Sequence, residues 1–174
     1  MNLNNKKMNI QNTAIKFVKM ELDHGAEIME IFNYYAENTF AAYPENKLPT
    51  GFFNKMIEMT NGYPALTIME HHKIVGFCFL RPYNPFPAFK ETAEISYFIH
   101  KDYMGKGLGK MSLDLLENEA KEMGIKTILA SITSRNKESI SFHVKYGFIE
   151  CGRFLNIGKK FGERFDIIWM EKKL

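Results

Sequence analysis

The sequence predicts a mixed α/β protein in which strands and helices pack in layers, in the order β-α-α-β-β-β-α-β-α-β-β. Three observations carry this prediction. Seven short runs alternate in polarity or are rich in β-branched and aromatic residues, which is typical of strands. Four longer segments place apolar residues at helical spacing. Glycines, prolines and asparagines separate the runs, as expected at turns.

Length and composition place these elements in one domain. The chain has 174 residues, of which 45% are hydrophobic and 25% charged, which is enough for one stable core. We expect a single domain over residues 15–174. Residues 1–14 are polar and lack an apolar signal core, so we expect a flexible leader there.

Charge and cysteine content exclude several classes of partner. The net charge of +3 is too small to indicate a nucleic-acid partner. No apolar run approaches the roughly 20 residues of a membrane span. Cys78 and Cys151 are the two cysteines, and neither has metal-ligand spacing. We therefore expect a cytoplasmic protein without a disulfide framework and without a bound metal.

The first strand is predicted at residues 15–20, where polar and apolar side chains alternate. A helix is expected from Asp23, a suitable N-cap, to about Asn38. Its apolar side chains recur at helical spacing and share one face: Ile28, Ile31, Phe32 and Tyr35. A second helix is expected between a Thr50 cap and a stop near Gly62.

A hairpin follows, in which residues 64–70 and 73–81 form strands around an exposed turn at His71 and His72. Residues 81–90, RPYNPFPAFK, are rich in proline and aromatic residues and are predicted as a loop. The same signals predict the remaining elements, which are strand 92–100, helix 108–124, strand 126–133, helix 136–147 and strands 148–155 and 163–172.

The loop at residues 100–110, HKDYMGKGLGK, joins a predicted strand to a predicted helix and holds three glycines within five positions. Such a loop exposes backbone amides, and the following helix adds the positive end of its dipole. The loop is therefore suited to an anion such as a diphosphate. The residues expected to bind it are Met104, Gly105, Lys106, Gly107, Leu108, Gly109 and Lys110.

Two familiar nucleotide-binding motifs fit this loop poorly. The dinucleotide motif requires GxGxxG and an acidic residue after the next strand, whereas this loop reads GxGxG and Ser134 follows the strand. The Walker A motif requires Ser or Thr after its lysine, but Met111 follows Lys110. A nucleotide-binding module remains an alternative, and it predicts binding of ATP or NAD.

The glycine loop, the Asn136…His143…Tyr146-Gly147-Phe148 segment and the C-terminal GRFLNIGKKFGERFD together resemble the GNAT superfamily of acyl-CoA N-acyltransferases. The resemblance extends over nearly all of the chain from Ile15. It is strongest to the branch of phosphinothricin and methionine sulfoximine/sulfone acetyltransferases, which carry a T-x-E run and a G-(F/Y)-K-(F/H)-G ending. The chain matches these patterns at residues 92–94 and, in part, at residues 158–162.

This resemblance implies a mostly antiparallel central sheet with helices on both faces, and acetyl-CoA as the co-substrate. It implies that the strands around Phe98–Ile99 and Ser131 separate, so that the pantetheine arm can pair with them. Asn136, a suitable N-cap, and Ser139 are implied to contact the same arm. Met104 stands where the family often has Gln or Arg, so the backbone amides are expected to contribute more of the diphosphate binding.

The implied chemistry is acyl transfer from a thioester to an amine, which must lose a proton before it attacks. Glu94 lies on a strand just before the glycine loop, and the resemblance implies that it is the general base. His143 matches the position from which the leaving thiolate receives a proton or a hydrogen bond. Direct attack in a ternary complex is expected, since no nucleophile is placed for an acyl-enzyme. A surface acid and a structural histidine are the alternatives.

The resemblance also implies an acceptor site near the end of the first helix and after the third strand, at Phe40, Tyr43, Arg81 and Tyr83. A guanidinium there can hold a carboxylate with two hydrogen bonds. The expected substrate is therefore a small, amino-acid-like primary amine. A protein or peptide acetyltransferase and a non-catalytic acyl-CoA-binding regulatory domain are the alternatives. The C-terminal resemblance implies a homodimer.

Overall fold

The computed structural model describes residues 15–174, and the expected leader at residues 1–14 lies outside the described residues. The strands are β1 Ile15–Lys19, β2 Ala65–Glu70, β3 Lys73–Pro82, β4 Thr92–Ile99, β5 Thr127–Thr133, β6 Ile149–Lys160 and β7 Glu163–Lys173. The helices are α1 Gly25–Asn38, α2 Phe52–Met59, α3 Leu108–Glu122 and α4 Lys137–Lys145. The predicted order of elements is confirmed.

The seven strands form one sheet in the order β1-β2-β3-β4-β5-β7-β6. Every neighbouring pair is antiparallel except β4 and β5, which run parallel. β4 and β5 run parallel because α3 crosses over between them and returns the chain to the same end of the sheet. The predicted mixed and mostly antiparallel sheet is thus confirmed. Within residues 15–174, no helix combines the length and the apolar character needed to cross a bilayer.

Alternate side chains of β3 show that the sheet is covered on both faces. Phe77 and Phe79 pack with α1 and α2 in one buried cluster. Cys78 and Leu80 point the other way and pack with α3 in a second cluster. Burial of a strand on both faces requires a continuous apolar run, which is what this segment has. Cys78 is fully buried, and burial raises the pKa of its thiol to about 12, so it is a core residue, as predicted.

The N-caps predicted for the first two helices are wrong. Asp23 lies inside a short 3₁₀ turn, Leu22–His24, because the chain turns once before α1 begins at Gly25. Thr50 lies one position too early, since Gly51 is the N-cap of α2 and has no side-chain cap. The Thr50 carbonyl, rather than its hydroxyl, accepts a hydrogen bond from the amide of Phe53 at 3.0 Å.

The C-terminal hairpin is longer than the sequence predicts. β6 continues to Lys160, and the turn consists of Phe161 and Gly162, with φ of 51° and 77°. Two successive positive φ values give a tight turn that matches strand twist. β6 is an edge strand with strongly exposed Leu155 and Ile157. The pattern misled the prediction because polar residues interrupt the strand, and its register with β7 shifts twice.

Candidate active site

The central feature of the site is an opening between the two parallel strands. The β4–β5 ladder holds only up to the pair Glu94–Leu129, although both strands continue beyond it. From there the strands separate, and residues 95–99 and 130–133 line opposite walls of a cavity of about 860 Å³. The inner edges of both strands therefore offer backbone groups without a partner strand, as the family resemblance implies.

The glycine loop forms one rim of this cavity. Gly105 and Gly107 have φ of 74° and 84°, a region that other residues enter only at a cost. Gly107 is also the N-cap of α3, and no side chain caps the helix. The first-turn amides of a helix have no partner within it, so the amides after Gly107 remain free to bind an anion. The Met104 amide differs from expectation, because it donates to the Lys101 carbonyl at 3.3 Å.

The two lysines of the loop have partners of their own. The ammonium group of Lys110 pairs with the carboxylate of Asp114 one turn along α3. That of Lys106 lies 4.1 Å from the ring centroid of Tyr103 and does not line the cavity. Every other residue expected to bind the coenzyme lines the cavity, namely Phe98, Ile99, Met104, Gly105, Gly107, Leu108, Gly109, Lys110, Ser131, Asn136 and Ser139.

α4 carries His143 into the cavity wall, where its two ring nitrogens have different partners. Asn136 caps the helix as predicted, and its side chain accepts the Ser139 amide at 3.1 Å. His143 Nδ1 lies 2.7 Å from the Ser139 carbonyl, so it carries the hydrogen. Nε2 therefore accepts from the Tyr97 hydroxyl at 2.6 Å. Burial lowers the pKa of His143 below 6.5, partly offset by the Ser139 hydrogen bond.

Tyr97 is the partner that the sequence did not reveal. It lies on β4, three residues after Glu94, and its ring stacks on that of His143 at a centroid distance of 5.6 Å. Burial raises the pKa of Tyr97 well above 10, so the phenol keeps its proton. The pair is therefore a neutral imidazole that accepts and a phenol that donates, both at the cavity wall.

Glu94 and Arg81 meet at the closed end of the opening. They are opposite each other in the β3–β4 register, and Arg81 Nη2 lies 2.7 Å from Glu94 Oε2. Only 8% of Glu94 is exposed, so the guanidinium provides the partner that a buried carboxylate requires. The general-base candidate and the predicted carboxylate clamp are thus paired with one another.

Aromatic side chains stand beside this pair. The Tyr43 hydroxyl lies 2.7 Å from Ser131 Oγ, which joins the segment after α1 to β5. Tyr43 is half exposed and, like Arg81, lies outside the cavity lining. Tyr83 does not reach the cavity. Its ring contacts Trp169 at 6.0 Å between centroids, and Trp169 is opposite Ser131 in the β5–β7 register. Phe40 lines the cavity directly.

The arrangement suits a long ligand with amide groups and a diphosphate. The separated strands offer backbone hydrogen bonds to an extended arm, as an added strand would use. The uncapped start of α3 offers amides to an anion. At the closed end, a carboxylate that can accept a proton lies beside a guanidinium that can bind an anion. His71 and His72, exposed at the β2–β3 turn as predicted, take no part.

Comparison with known proteins identifies a family whose ligand has these features. The acetyltransferase (GNAT) family profile matches residues 28–148. The L-amino acid N-acyltransferase MnaT of Escherichia coli is 30% identical over 151 residues, which are 86% of this chain and 88% of the relative. The L-methionine sulfoximine/L-methionine sulfone acetyltransferase of Salmonella typhimurium is 31% identical over the same fractions.

Solved structures agree with the sequence matches. An acetyltransferase from Acinetobacter baylyi superposes with a TM-score of 0.86 at 32% identity, covering 92% of each chain. One from Salmonella typhimurium, solved with its cofactor acetyl-CoA, superposes with a TM-score of 0.84 at 29% identity and covers 92% of this chain and 94% of that one. Together with the separated strands and the glycine loop, these matches show that the chain belongs to the GNAT family of acetyltransferases.

Proposed function

We propose that this acetyltransferase transfers the acetyl group of acetyl-CoA to the primary amine of a small, amino-acid-like acceptor by direct attack. The observation that carries the proposal is the Arg81–Glu94 pair at the closed end of the strand opening, one residue before the part of β4 that lines the cavity. One basic and one acidic group suit an acceptor that bears both an amine and a carboxylate. The Escherichia coli and Salmonella relatives, whose names specify amino acids or their analogues, support this class of substrate.

The coenzyme is proposed to lie along the separated strands, where bound acetyl-CoA supplies the thioester. Backbone groups of residues 95–99 and 130–133 would pair with the pantetheine arm, and the amides at the start of α3 would bind the diphosphate. Asn136 and Ser139 line the same cavity. The Asn136 side-chain oxygen is used by its own helix cap, which leaves its amide NH₂ to donate.

Glu94 is proposed as the general base. An amine with a pKa near 10 is protonated at neutral pH and must lose a proton to attack. The ammonium first gives one proton to the Glu94 carboxylate, directly or through a water, and Glu94 releases it to solvent. The neutral amine then attacks: the C–N bond forms as the C–S bond breaks, the sulfur leaves as a thiolate, and the second N–H proton passes to Glu94. For this role Glu94 must be available, although in the structure one of its oxygens binds Arg81.

An acceptor carboxylate would resolve this conflict. A guanidinium presents five N–H donors in a fixed fork, so Arg81 can turn part of that fork to a substrate carboxylate. Side-chain exposure of 36% for Arg81 against 11% for Glu94 leaves the guanidinium accessible. Binding of the acceptor would then weaken the hold on Glu94 and free it to accept the proton.

The His143–Tyr97 pair is proposed to face the leaving sulfur. The Nδ1 hydrogen is committed to the Ser139 carbonyl, so the hydrogen that the pair can offer is on the phenol. The hydroxyl would turn from His143 towards the thiolate and donate to it, while His143 holds the ring in position by stacking. The thiolate is then protonated from solvent.

The proposal is tested by thiol release from acetyl-CoA at pH 8 with methionine sulfone, methionine sulfoximine, phosphinothricin, free amino acids, polyamines and a short peptide. Turnover of the amino-acid-like amines is expected. Turnover of the peptide alone would favour a peptide acetyltransferase. Acetyl-CoA binding without turnover of any amine would favour the regulatory alternative.

The carboxylate contact has a separate test in the Arg81→Gln variant. Loss of the guanidinium also leaves Glu94 unpaired, so the informative quantity is a ratio. We expect kcat/KM for methionine sulfone to fall about ten- to hundredfold more than kcat/KM for methionine sulfone α-amide, since hydrogen bonds to charged groups contribute about 1.5–3 kcal/mol. An equal loss on both substrates would show that Arg81 serves Glu94 alone.

We also propose that the protein is a homodimer formed through β6. This edge strand exposes Phe154, Leu155 and Ile157 by 53%, 71% and 61%, and several exposed apolar side chains on an edge strand are typical of an interface. Light scattering should give twice the chain mass of 20.3 kDa, and Leu155→Glu should halve it. Leu22→Glu, at an equally exposed leucine after β1 on the opposite edge, is the control. A wild-type monomer would contradict the proposal.

A further inference from the structure

Lys160 has a buried ammonium group. Only 1% of its surface is exposed, although it is the last residue of an edge strand. Its ammonium nitrogen lies 2.6 Å from the Thr39 carbonyl oxygen and 2.6 Å from the Ala42 carbonyl oxygen. None of the salt bridges within residues 15–174 includes it.

A charge held by carbonyl oxygens in place of a carboxylate is costly to bury. Burial accordingly lowers the pKa of Lys160, although the Glu45 charge nearby offsets part of that effect. An apolar side chain of similar length would fill the space without that cost. Stability alone therefore does not account for a lysine here, and what the ammonium holds becomes the question.

It holds residues 39–43, which follow α1 and which we call the acceptor loop. Thr39 is the C-cap of α1, so the ammonium also lies at the negative end of that helix. Within the acceptor loop, Phe40 lines the cavity and Tyr43 reaches Ser131 through its hydroxyl. The two carbonyls bound by Lys160 are thus on either side of Phe40 and Ala41, which both line the cavity.

Other contacts fasten the same loop to the C-terminal hairpin and to β5. Thr133 Oγ1 donates to the Phe40 carbonyl at 2.9 Å. The Phe40 ring packs edge-on against Phe161 at 5.6 Å between centroids, and the Phe161 amide donates to Glu45 just beyond the loop. The residues that contact the acceptor loop are therefore distant in sequence, and Lys160 provides two of the hydrogen bonds.

We propose that Lys160 is a positioning residue that holds the acceptor loop against the cavity, so that Phe40 and Tyr43 keep the amine acceptor in place for attack. The inference rests on the proposed function in one respect, which is that the acceptor binds beside these two side chains. Lys160 itself does not line the cavity.

The test compares Lys160→Met with Lys159→Met, an exposed neighbour. Lys160→Met should raise the acceptor KM and lower kcat/KM about ten- to hundredfold, the scale expected when a wall residue moves by about 1 Å. The dissociation constant for acetyl-CoA should change less than twofold. Lys159→Met should match the wild type. Lys160→Gln, which can still donate to a carbonyl, should recover part of the loss.

A readout without substrate completes the test. Backbone hydrogen exchange of residues 41–43 should be faster in Lys160→Met and unchanged in Lys159→Met. If Lys160→Met does not fold, Lys160→Gln against wild type gives the same comparison. Unchanged acceptor kinetics and unchanged exchange would overturn the inference, as would an equal loss of acceptor and acetyl-CoA binding. If the wild-type enzyme acetylates none of the amines, the proposed function fails instead. The exchange measurement still tests whether Lys160 holds the acceptor loop in place.

Discussion

Glu94→Gln is expected to lower kcat/KM for the amine acceptor by about 100- to 10,000-fold, the usual contribution of a general base. The amide has nearly the shape of the carboxylate and can still accept a hydrogen bond from Arg81. It cannot take up the amine proton. Since Glu94 lies at the closed end of the opening and outside the cavity lining, the dissociation constant for acetyl-CoA should stay within twofold of the wild type.

Turnover is measured by thiol release, and the dissociation constant for acetyl-CoA is measured by calorimetry. Glu91→Gln is the matched control, because Glu91 is exposed and lies just before the same strand. Its kinetics should equal those of the wild type. Full activity in Glu94→Gln would show that the buried carboxylate serves only to balance Arg81.

The second large effect is expected from Gly107→Ala, which should weaken acetyl-CoA binding about ten- to hundredfold. Gly107 has φ of 84°, and no atom beyond the adjacent residues lies within 4 Å of the position that a Cβ would take, so the methyl group would fit and the cost would be conformational. A non-glycine residue in this region costs about 1–2 kcal/mol. The loop would relieve that cost by rotating, which turns the α3 amides away from the diphosphate.

Gly124→Ala is the control for strain alone. Gly124 follows the other end of α3, with φ of 79° and equally open surroundings. Both variants should lose similar thermal stability, but only Gly107→Ala should lose affinity for acetyl-CoA. Equal affinities in the two variants would mean that the start of α3 does not bind the diphosphate.

Local patterns were sufficient for the elements because each element is set by its own residues. The alternation in β1, the apolar stripe of α1 and the double-sided apolar run of β3 depend on neighbours within a few positions. The errors at Asp23 and Thr50 have a local cause as well, since several residues near each helix start could cap it. β6 was predicted too short because its polar residues are in an exposed edge strand, where little burial shapes the pattern.

The site residues likewise fall into two groups: those that a short run of sequence reveals and those that only the fold brings together. The glycine loop, the Asn136 cap and Glu94 were recognisable because their chemistry or a family motif lies in a short run of sequence. Trp169 could have been suspected from its place on β7, but no pattern joined it to Tyr83. The loss of pairing after Glu94–Leu129 is a property of two strands and of the crossover between them.

The sequence by itself therefore determined the order of elements, the glycine loop and the identity of the groups that can bind an anion or accept a proton. Only the tertiary structure decided their partners: Arg81 with Glu94, Tyr97 with His143, and Lys160 with the carbonyls of the acceptor loop. The physical reason is distance along the chain. The Tyr97–His143 partners are 46 residues apart and the Lys160–Thr39 partners 121, and such contacts depend on strand register and on packing across the whole sheet rather than on local propensity.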